Sequence, residues 1–363
     1  MHLRSIEILN FRNYSKGSFR YLPHGCLFIG NNGSGKTNLL EAMAYCGLGK
    51  SIRFHSDQEM LRFTSDRFYI SADFMLETGL SLEVSFSYQD GVKQLSLDGE
   101  PVRQLSRVLE AVKIIYCAPE DINIITGSPR FRRQYFDLSI SQVYPKYLPA
   151  LRNYLHVIKQ RNSLLKNGYN QAQKTAWDKR FSSAYMELLE YRISYLKGLN
   201  TQLASTYLNI SESINSLEVL YEPIMRHVSP GEITEELVME WLKQNESREK
   251  HYERTLMGAH LDDYRFLLNG YDLKLYGSGG QKRIVVVILK LIQANLIQDN
   301  TAIRPIFLFD DIFAELDLIH MKRIQELINN DNQVFITSPK KDLGLLWPML
   351  PSVNLPLSSD ETE

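Results

Sequence analysis

The stretch Gly30-Asn31-Asn32-Gly33-Ser34-Gly35-Lys36-Thr37 fits the phosphate-loop pattern G-x-x-x-x-G-K-[ST] at every required position. The short apolar run at residues 25–29 precedes it and predicts a buried strand. Residues 38–45 follow it with apolar side chains at helical spacing, which predicts a helix. A strand and a helix on either side favour a phosphate loop over the alternative, an ordinary glycine-rich turn before a helix.

The residue types of this stretch suit phosphate binding. Its glycines let the backbone curl until N–H groups point at phosphate oxygens, and the following helix start adds partial positive charge. Lys36 supplies a full charge for the terminal phosphates, and Thr37 offers a hydroxyl group to a phosphate-bound Mg²⁺. The sequence therefore predicts a site for a nucleoside triphosphate and Mg²⁺. The residues of this predicted site are Gly30, Asn31, Asn32, Gly33, Ser34, Gly35, Lys36, Thr37 and Asn38.

The composition is that of a globular protein, with 44% hydrophobic and 23% charged residues. Its 363 residues allow two domains, or one domain with a large insertion. The net charge of −1 means that any nucleic-acid surface must be a local patch.

Three cysteines without a C-x-x-C pair predict reduced thiols, as in the cytoplasm. We find no apolar signal segment at the start, and the aliphatic run 284–289 is too short to cross a bilayer, so we expect no membrane anchor.

The middle of the chain differs in pattern from both ends. Helical periodicity dominates residues 130–249, whereas residues 1–129 and 250–363 mix strand and helix patterns. We therefore predict an α/β fold in which a discontinuous nucleotide-binding head is split by a mainly helical lobe. Strand patterns around the dipeptide Asp90-Gly91 predict a hairpin in an antiparallel β subdomain of the head.

A second apolar run, Pro305-Ile306-Phe307-Leu308-Phe309, ends in Asp310 and Asp311. A buried strand that delivers a carboxylate beside a phosphate loop is the arrangement with which P-loop proteins hold Mg²⁺. This pattern predicts that Asp310 reaches the metal and that Asp311 polarises the attacking water. The alternative interpretation is a strand that ends in a solvated turn.

A flexible turn, Gly277-Ser278-Gly279-Gly280-Gln281, precedes the β-branched run at residues 284–291. The run suits a strand by propensity, but Arg283, Lys290 and Gln293 share one face at helical spacing, which favours a helix. Ser278 and the free N–H groups behind it then form a second anion-binding helix start. Taken alone, this turn is also typical of a linker. The predicted anion-binding residues are Ser278, Gly279, Gly280 and Gln281.

Along the chain, the phosphate loop is followed by the serine turn and then by the strand that ends in two aspartates. This order resembles that of the ATP-binding-cassette (ABC) ATPases, in which the serine turn is the signature motif. The opening residues 6–14 resemble the first strand of the SMC-like branch, and within it the RecF family of bacterial recombination mediators. Residues 116–121 and 127–133 are similar to the central motif of that family. Residues 309–317 match its Asp-Asp strand end and D-loop. The resemblance spans nearly the whole chain and implies an ABC/SMC-like ATPase head with an inserted helical lobe.

The resemblance implies an ATP-dependent homodimer in which two heads meet head to tail around two ATP molecules, so that Ser278 acts in trans. It also implies catalytic roles for Lys36 and Asp311, and a Mg²⁺ ion held by Thr37 and Asp310. The dimer would clamp DNA at gaps or double-strand/single-strand junctions, and slow, DNA-stimulated ATP hydrolysis would release it. The expected partners are RecR and RecO-type proteins, in DNA repair, replication-fork maintenance and the SOS response.

Several residues depart from the family pattern. Gly279 stands where RecF proteins usually have Gln, and the segment around His260 lacks the family's Pro and Arg. The role of His260 therefore stays open between a functional and a structural histidine. Thr337 and Ser338 stand where transporter cassettes have a switch histidine, and Asp311 replaces their glutamate. Both differences suit a slow hydrolase.

The sequence offers only local cationic clusters as DNA contacts, and solvated helix faces are the alternative for each. The candidate DNA-binding residues are Arg130, Arg132 and Arg133; further groups are Lys159, Arg161 and Lys166, and Arg103, Arg107 and Lys113.

Two other classes of protein share these motifs. A transporter ATPase subunit is disfavoured by the missing switch histidine and by the large helical insertion. A defence-type SMC-like ATPase acting with a partner nuclease is the other alternative. We expect no metal-nuclease domain in this chain, because little sequence follows the last predicted strand. The insertion is also too short for a long coiled coil.

Overall fold

The computed structural model describes residues 1–53, 56–211, 216–328, 331–339 and 343–355. The chain divides into two compact units. The first unit contains Met1–Asp121, Asn209–Glu212 and Arg283–Glu363; the second contains Ile122–Leu208 and Ser213–Lys282.

The strands are β1 His2–Phe11, β2 Tyr14–Arg20, β3 Gly25–Ile29, β4 Arg67–Met75, β5 Ser81–Gln89, β6 Val92–Leu97, β7 Glu100–Pro101, β8 Ile114–Cys117, β9 Leu217–Glu222, β10 Asp263–Leu268, β11 Tyr271–Asp272, β12 Ile306–Asp310, β13 Val334–Ser338 and β14 Ser352–Asn354. The helices are α1 Lys36–Leu48, α2 Ser106–Ala111, α3 Asn123–Thr126, α4 Pro129–Val143, α5 Tyr147–Asn167, α6 Gln171–Ser211, α7 Glu235–Gln244, α8 Glu246–Tyr252, α9 Leu273–Tyr276, α10 Gly279–Thr301, α11 Leu318–Leu327 and α12 Leu343–Leu346.

A parallel sheet in the first unit positions the phosphate loop. Its strand order is β14-β3-β13-β12-β8, and each neighbouring pair is parallel. β3, β12 and β13 are buried along their whole length, which explains their continuous apolar sequences. The carboxyl ends of parallel strands share one edge, so the loop after β3 lies at the same edge as the ends of β12 and β13.

Helix α1 packs between this parallel sheet and an antiparallel sheet with strand order β2-β1-β4-β5-β6-β7. It contacts β8 and β12 on one side and β4 and β5 on the other. Every side chain from Leu39 to Leu48 is buried, since the helix has a sheet on both sides. Tyr45 meets Phe86 edge to face, with ring centroids 5.0 Å apart. The phosphate loop is therefore anchored to a helix in the core of the first unit.

The second unit combines long helices with an antiparallel sheet of order β11-β10-β9. Helix α4 packs on this sheet, where Phe136 stacks on Tyr264 with ring centroids 3.8 Å apart. α5 and α8 are joined by a buried ion pair between Arg161 and Glu249. Buried charges of this kind are stable only when paired, so the pair fixes how the two helices pack.

The structure confirms most of the predicted elements. The β-branched run after residue 283 lies in α10 and is helical, and the hairpin at Asp90-Gly91 joins β5 to β6. β2 and β14 were not predicted: β2 contains Gly17 and several polar residues, and β14 is a short edge strand. The domain limits at residues 129/130 and 249/250 stay a prediction. The second compact unit extends to Lys282 because β10 pairs with β9.

One described helix, α10, is long and apolar enough to cross a membrane by length and composition alone. Of its most apolar 18-residue window, 72% is buried inside the protein. This burial is that of a core helix.

Candidate nucleotide-binding site

The phosphate loop curls around the ammonium group of Lys36. Lys36 Nζ donates hydrogen bonds to the carbonyl oxygens of Gly30 (2.7 Å) and Asn31 (3.1 Å), and the residue is buried. Gly35 adopts a left-handed conformation with φ +100°, and an added Cβ atom would lie 2.7 Å from Asn13 Nδ2. A larger residue at this position would therefore strain the backbone and clash with the connection that follows β1.

The connection between β1 and β2 supports the loop from outside. Asn38 Nδ2 donates to Asn13 Oδ1 (2.8 Å), and the hydroxyl group of Tyr14 donates to the carbonyl oxygen of Gly35 (3.2 Å). Sequence reasoning assigned Asn13 and Tyr14 no contact with the loop. Both residues belong to the segment 6–14 that resembles the first strand of the family, and this position is the one sequence feature that could have indicated a contact with the loop.

Asp310 lies at the end of β12 among hydroxyl donors. Thr37 Oγ1 (2.9 Å) and Thr337 Oγ1 (2.8 Å) donate to its Oδ1, and the hydroxyl group of Tyr116 (2.7 Å) donates to its Oδ2. The structure thus brings together Thr37 and Asp310, which the sequence predicted as a Mg²⁺-binding pair. Tyr116 and Thr337 were not predicted, because their contacts depend on the order of β8, β12 and β13 in the sheet.

Asp311 follows with an unusual backbone conformation. Its φ is +51°, a region that side chains other than Gly, Asn and Asp seldom adopt, and its N–H donates to Thr337 Oγ1 (2.9 Å). Burial raises the pKa of the Asp311 carboxyl above its usual value, and the neighbouring charge of Asp310 adds to the rise, while Lys36 opposes it. A backbone held this way sets the direction of the Asp311 side chain relative to Asp310.

A buried carboxylate inside α1 links the loop helix to the segment after it. Ser51 Oγ donates to Glu41 Oε1 (2.7 Å), and Arg12 Nε lies 3.7 Å from Glu41 Oε2. Burial raises the pKa of Glu41, whereas Ser51 and Arg12 lower it. These contacts tie residues on both sides of α1 to its second turn.

The donor atoms present suit Mg²⁺. The Thr37 hydroxyl and the Asp310 carboxylate offer the oxygen ligands that this ion prefers in phosphate-binding proteins. Within the described parts of the chain, no cluster of His, Cys, Asp and Glu side chains is large enough to hold a metal by itself. Such a site fits an ion whose remaining ligands are phosphate oxygens and water.

The signature turn belongs to the second unit and caps α10. The N–H of Ser278 donates to Gln281 Oε1 (2.8 Å), and the N–H of Gln281 donates to Ser278 Oγ (3.2 Å). These reciprocal bonds form a capping box, which stabilises the helix start. Ser278, Gly279 and Gly280 are exposed, so the helix start faces solvent.

The structure separates the predicted DNA-binding arginines of α4. Arg130 is exposed, but Arg132 is 6% exposed and forms a bidentate ion pair with Asp263. Arg133 donates to the carbonyl oxygen of Asp262 (2.9 Å). Of this cluster, Arg130 is exposed, Arg133 is half-buried and Arg132 is buried. The contacts of Arg132 and Arg133 stabilise the second unit.

Two cations of the other predicted groups are also buried. Arg161 donates to Asp178 Oδ1 (2.8 Å) and to both carboxylate oxygens of Glu249. Lys113 is fully buried and bonds to the carbonyl oxygen of Leu109, and burial lowers its pKa to about 8. Neither side chain is available to nucleic acid, because its charge is satisfied inside the protein.

His260 has a structural environment. The backbone N–H of His260 donates to the hydroxyl oxygen of Tyr154 (3.3 Å). The hydroxyl group of Tyr154 in turn donates to Nδ1 of the His260 ring (2.8 Å). Burial lowers the pKa of His260 to about 4. The imidazole is therefore neutral at pH 7 and accepts a hydrogen bond from Tyr154.

A parallel sheet that ends in a phosphate loop and an aspartate, with an antiparallel sheet across the loop helix, defines an ATPase head of the ABC/SMC type. The family described as RecF/RecN/SMC N terminal domain matches residues 2–345, and the chain belongs to this family. It is 32% identical over 346 residues to the DNA replication and repair protein RecF of Alkaliphilus oremlandii (strain OhILAs), covering 93% of both chains. Its identity to the RecF of Lysinibacillus sphaericus (strain C3-41) is 31% over 348 residues, again 93% of both chains.

Solved structures of RecF and of an Smc head are also similar to this chain. The structure of the recombination mediator protein RecF with ATP, in the RecFOR pathway, is similar with a TM-score of 0.86 and 29% identity. The similarity covers 94% of this chain and 92% of that chain. The Smc head bound to the C-winged helix domain of ScpA has a TM-score of 0.55 at 14% identity, over 95% of this chain and 92% of that one. The likeness to the Smc head concerns the fold alone.

Proposed function

We propose that this chain is an ATP-dependent, DNA-binding recombination mediator that resembles RecF and uses slow ATP hydrolysis as a switch. The observation that carries the proposal is the 2.9 Å contact between Thr37 Oγ1 and Asp310 Oδ1 beside the buried Lys36. Further support comes from two relatives named RecF that match over 93% of their own length. A separate solved structure of RecF with ATP is similar over 92% of its chain. This full-length match favours a mediator over a transporter subunit or a nuclease partner.

Nucleotide binding rests on the loop and its lysine. The N–H groups of the loop and the start of α1 attract the β- and γ-phosphates, and Lys36 adds a full positive charge. Thr37 and Asp310 hold Mg²⁺, which neutralises phosphate charge when it is bound. Tyr116 and Thr337 keep the Asp310 carboxylate in place through the hydrogen bonds that they donate.

Asp311 positions the attacking water. Its left-handed backbone is held by Thr337, and its carboxyl lies in a partly buried place where the pKa is raised. A base with a raised pKa accepts a proton more readily than an ordinary aspartate. A carboxylate shorter than glutamate suits slow turnover, which is useful for a switch.

Dimerisation depends on the γ-phosphate through Ser278 of a second copy. One helix end contributes about 0.3–1 kcal/mol to anion binding, so a single chain leaves much of the phosphate charge to water. The exposed, capped start of α10 offers the second helix end. Hydrolysis removes the shared charge and releases the dimer, which couples DNA clamping to the nucleotide state.

In this proposal the dimer holds DNA at gaps or double-strand/single-strand junctions and acts with RecR and RecO-type partners. Its processes are DNA repair, replication-fork maintenance and the SOS response, in the bacterial cytoplasm. The support for this part is the relatives' names and the pathway of the RecF structure.

The test is the molecular mass in solution without nucleotide, with ADP and with ATP·Mg²⁺, each with and without gapped DNA. We expect a dimer only with ATP, strengthened by DNA. Lys36→Ala should lose nucleotide binding, since it removes the charge inside the loop. Lys16→Ala, which changes an exposed lysine on β2, is the matched control. Unchanged nucleotide affinity of the Lys36 variant, or a wild-type monomer in every condition, contradicts the proposal.

A further inference from the structure

Helix α5 carries an uneven distribution of charge. Its 21 residues include no Asp or Glu, although the whole chain is slightly acidic. Of its four Lys and Arg residues, Arg152, Lys159 and Lys166 are exposed and Arg161 is buried. His156 is also exposed. The helix therefore presents positive charge to solvent without compensating acids of its own.

The exposed cations form a straight line. Arg152, Lys159 and Lys166 are spaced seven residues apart, so they lie within about 40° of one another around the helix. They span about 21 Å along the axis. His156 and Ser163 are also exposed and widen this arc to about 80°. We call Arg152, Lys159 and Lys166 the α5 stripe.

Two acids of other helices bind the buried side of α5. Glu249 of α8 and Asp178 of α6 are buried and bind Arg161 on the inner face of α5. Glu246 of α8 is half-buried and accepts a hydrogen bond from Tyr169 (3.0 Å). Among the residues that the structure describes, none forms an ion pair or a hydrogen bond with the side chains of the α5 stripe. The inner ion pairs join α5 to α6 and α8, whereas the outer cations of α5 face solvent.

We propose that the α5 stripe binds the phosphate backbone of duplex DNA. This inference rests on the DNA binding of the proposed function and names the surface that performs it. A protein with a net charge of −1 attracts DNA only through a local patch, and a row of cations along one helix is such a patch. Proteins that bind single strands combine cationic grooves with aromatic side chains on which bases stack. The tyrosines of α5, Tyr147 and Tyr154, are buried and offer no such stacking surface. The chemistry of the stripe therefore matches a duplex backbone.

The test replaces Arg152, Lys159 and Lys166 together by Gln in the full chain and measures affinity for a duplex with ATP·Mg²⁺ at several salt concentrations. Each lost phosphate contact lowers the slope of log K against log salt by about 0.9. In the triple variant the magnitude of this slope should therefore decrease by about 2.7. At low salt the variant should bind the duplex more weakly by on the order of tenfold or more. Its ATP affinity should be unchanged, because the stripe lies outside the nucleotide site.

The matched control replaces Lys179, Lys243 and Lys250 by Gln, exposed lysines of the same unit on α6, α7 and α8. It makes the same change in net charge and should keep the wild-type slope. The single variant Lys159→Glu, at an exposed position that leaves the inner face intact, should weaken duplex binding in the same direction. This second variant keeps the test decisive if the triple variant folds poorly.

The outcomes separate this inference from the proposed function. A wild-type protein that binds no DNA contradicts both. Wild-type DNA binding with an unchanged slope in the stripe variants overturns the α5 stripe alone. Equal losses in the stripe and control variants would also overturn it, because they indicate a general effect of charge. A larger loss for single-stranded oligonucleotides than for the duplex would refute the duplex backbone as the partner.

Discussion

The hydroxyl group of Tyr116 lies 2.7 Å from Oδ2 of Asp310 and donates a hydrogen bond to it. Burial raises the pKa of Tyr116 well above its usual value, and the charge of Asp310 raises it further. The hydroxyl is therefore protonated at any physiological pH and serves as a permanent donor. Tyr116 begins the segment 116–121 that resembles the family's central motif, and its hydroxyl group orients the carboxylate proposed to bind Mg²⁺.

Removal of this hydroxyl should affect turnover more than nucleotide binding. A hydrogen bond to a charged group contributes about 1.5–3 kcal/mol, so we expect Tyr116→Phe to lower kcat about tenfold or more. KM for ATP should change little, because Lys36 and the loop N–H groups are intact. The half-saturating Mg²⁺ concentration should rise. Steady-state kinetics at varied ATP and Mg²⁺ measure these quantities.

Tyr45→Phe is the control for this substitution. Its hydroxyl group also donates to a carboxylate, Asp57 Oδ1 (2.6 Å), in the same unit, but away from Asp310. This variant should keep the wild-type dependence on Mg²⁺. An equal change in both variants would mean that Tyr116 acts only through general stability.

Asp311→Asn should separate binding from hydrolysis. The amide keeps the shape of the side chain but accepts no proton, so ATP binding and dimerisation should persist while turnover falls by on the order of a hundredfold. In the wild type, burial and the charge of Asp310 raise the pKa of Asp311. As the pH is lowered, the hydrolysis rate should therefore begin to fall at a pH above the usual pKa of an aspartate side chain. Wild-type turnover in the variant would remove Asp311 from the water-positioning role.

Ser278→Arg should block dimerisation and spare nucleotide binding. The large cation fills the exposed helix start and removes the hydroxyl oxygen that accepts a hydrogen bond from the N–H of Gln281. We expect a monomer with ATP·Mg²⁺ by light scattering, with the wild-type affinity for ATP. Ser247→Arg, at an exposed position of α8, is the control and should still dimerise. A normal ATP-dependent dimer of the Ser278 variant would show that the site is not shared.

His260 should make the protein sensitive to acid. Its pKa is about 4 in the folded protein, against 6.5 for an unperturbed histidine, because burial disfavours the charged form. Between these values the unfolded chain binds more protons. The free energy of unfolding should therefore fall as the pH drops from 6.5 to 4, by up to about 1.4 kcal/mol per pH unit.

Urea unfolding at several pH values measures this slope. His260→Gln should flatten it, whereas His251→Gln, at an exposed position of α8, should leave it unchanged. An identical slope in the wild type and the His260 variant would assign the acid sensitivity to other groups.

Features carried by local pattern were predictable from the sequence. The phosphate loop needs glycines, a lysine and a threonine at set spacing between a strand and a helix, and these are adjacent in the chain. The helical nature of α10 followed from spacing that outweighed β propensity. The contact of Thr37 with Asp310 was predictable because parallel strands deliver their carboxyl ends to one edge.

Burial and contacts between distant segments required the tertiary structure. Arg132 and Arg161 have the same chemistry as Arg152, and only packing decides which of them faces an acid and which faces water. The donors Tyr116 and Thr337 meet Asp310 through the strand order β13-β12-β8, which no local pattern encodes.

The sequence by itself therefore determined the nucleotide chemistry, since backbone geometry within a few residues creates the phosphate loop. The tertiary structure alone decided which charges remain for a partner, because the energy of a charged group depends on whether the fold buries it and pairs it.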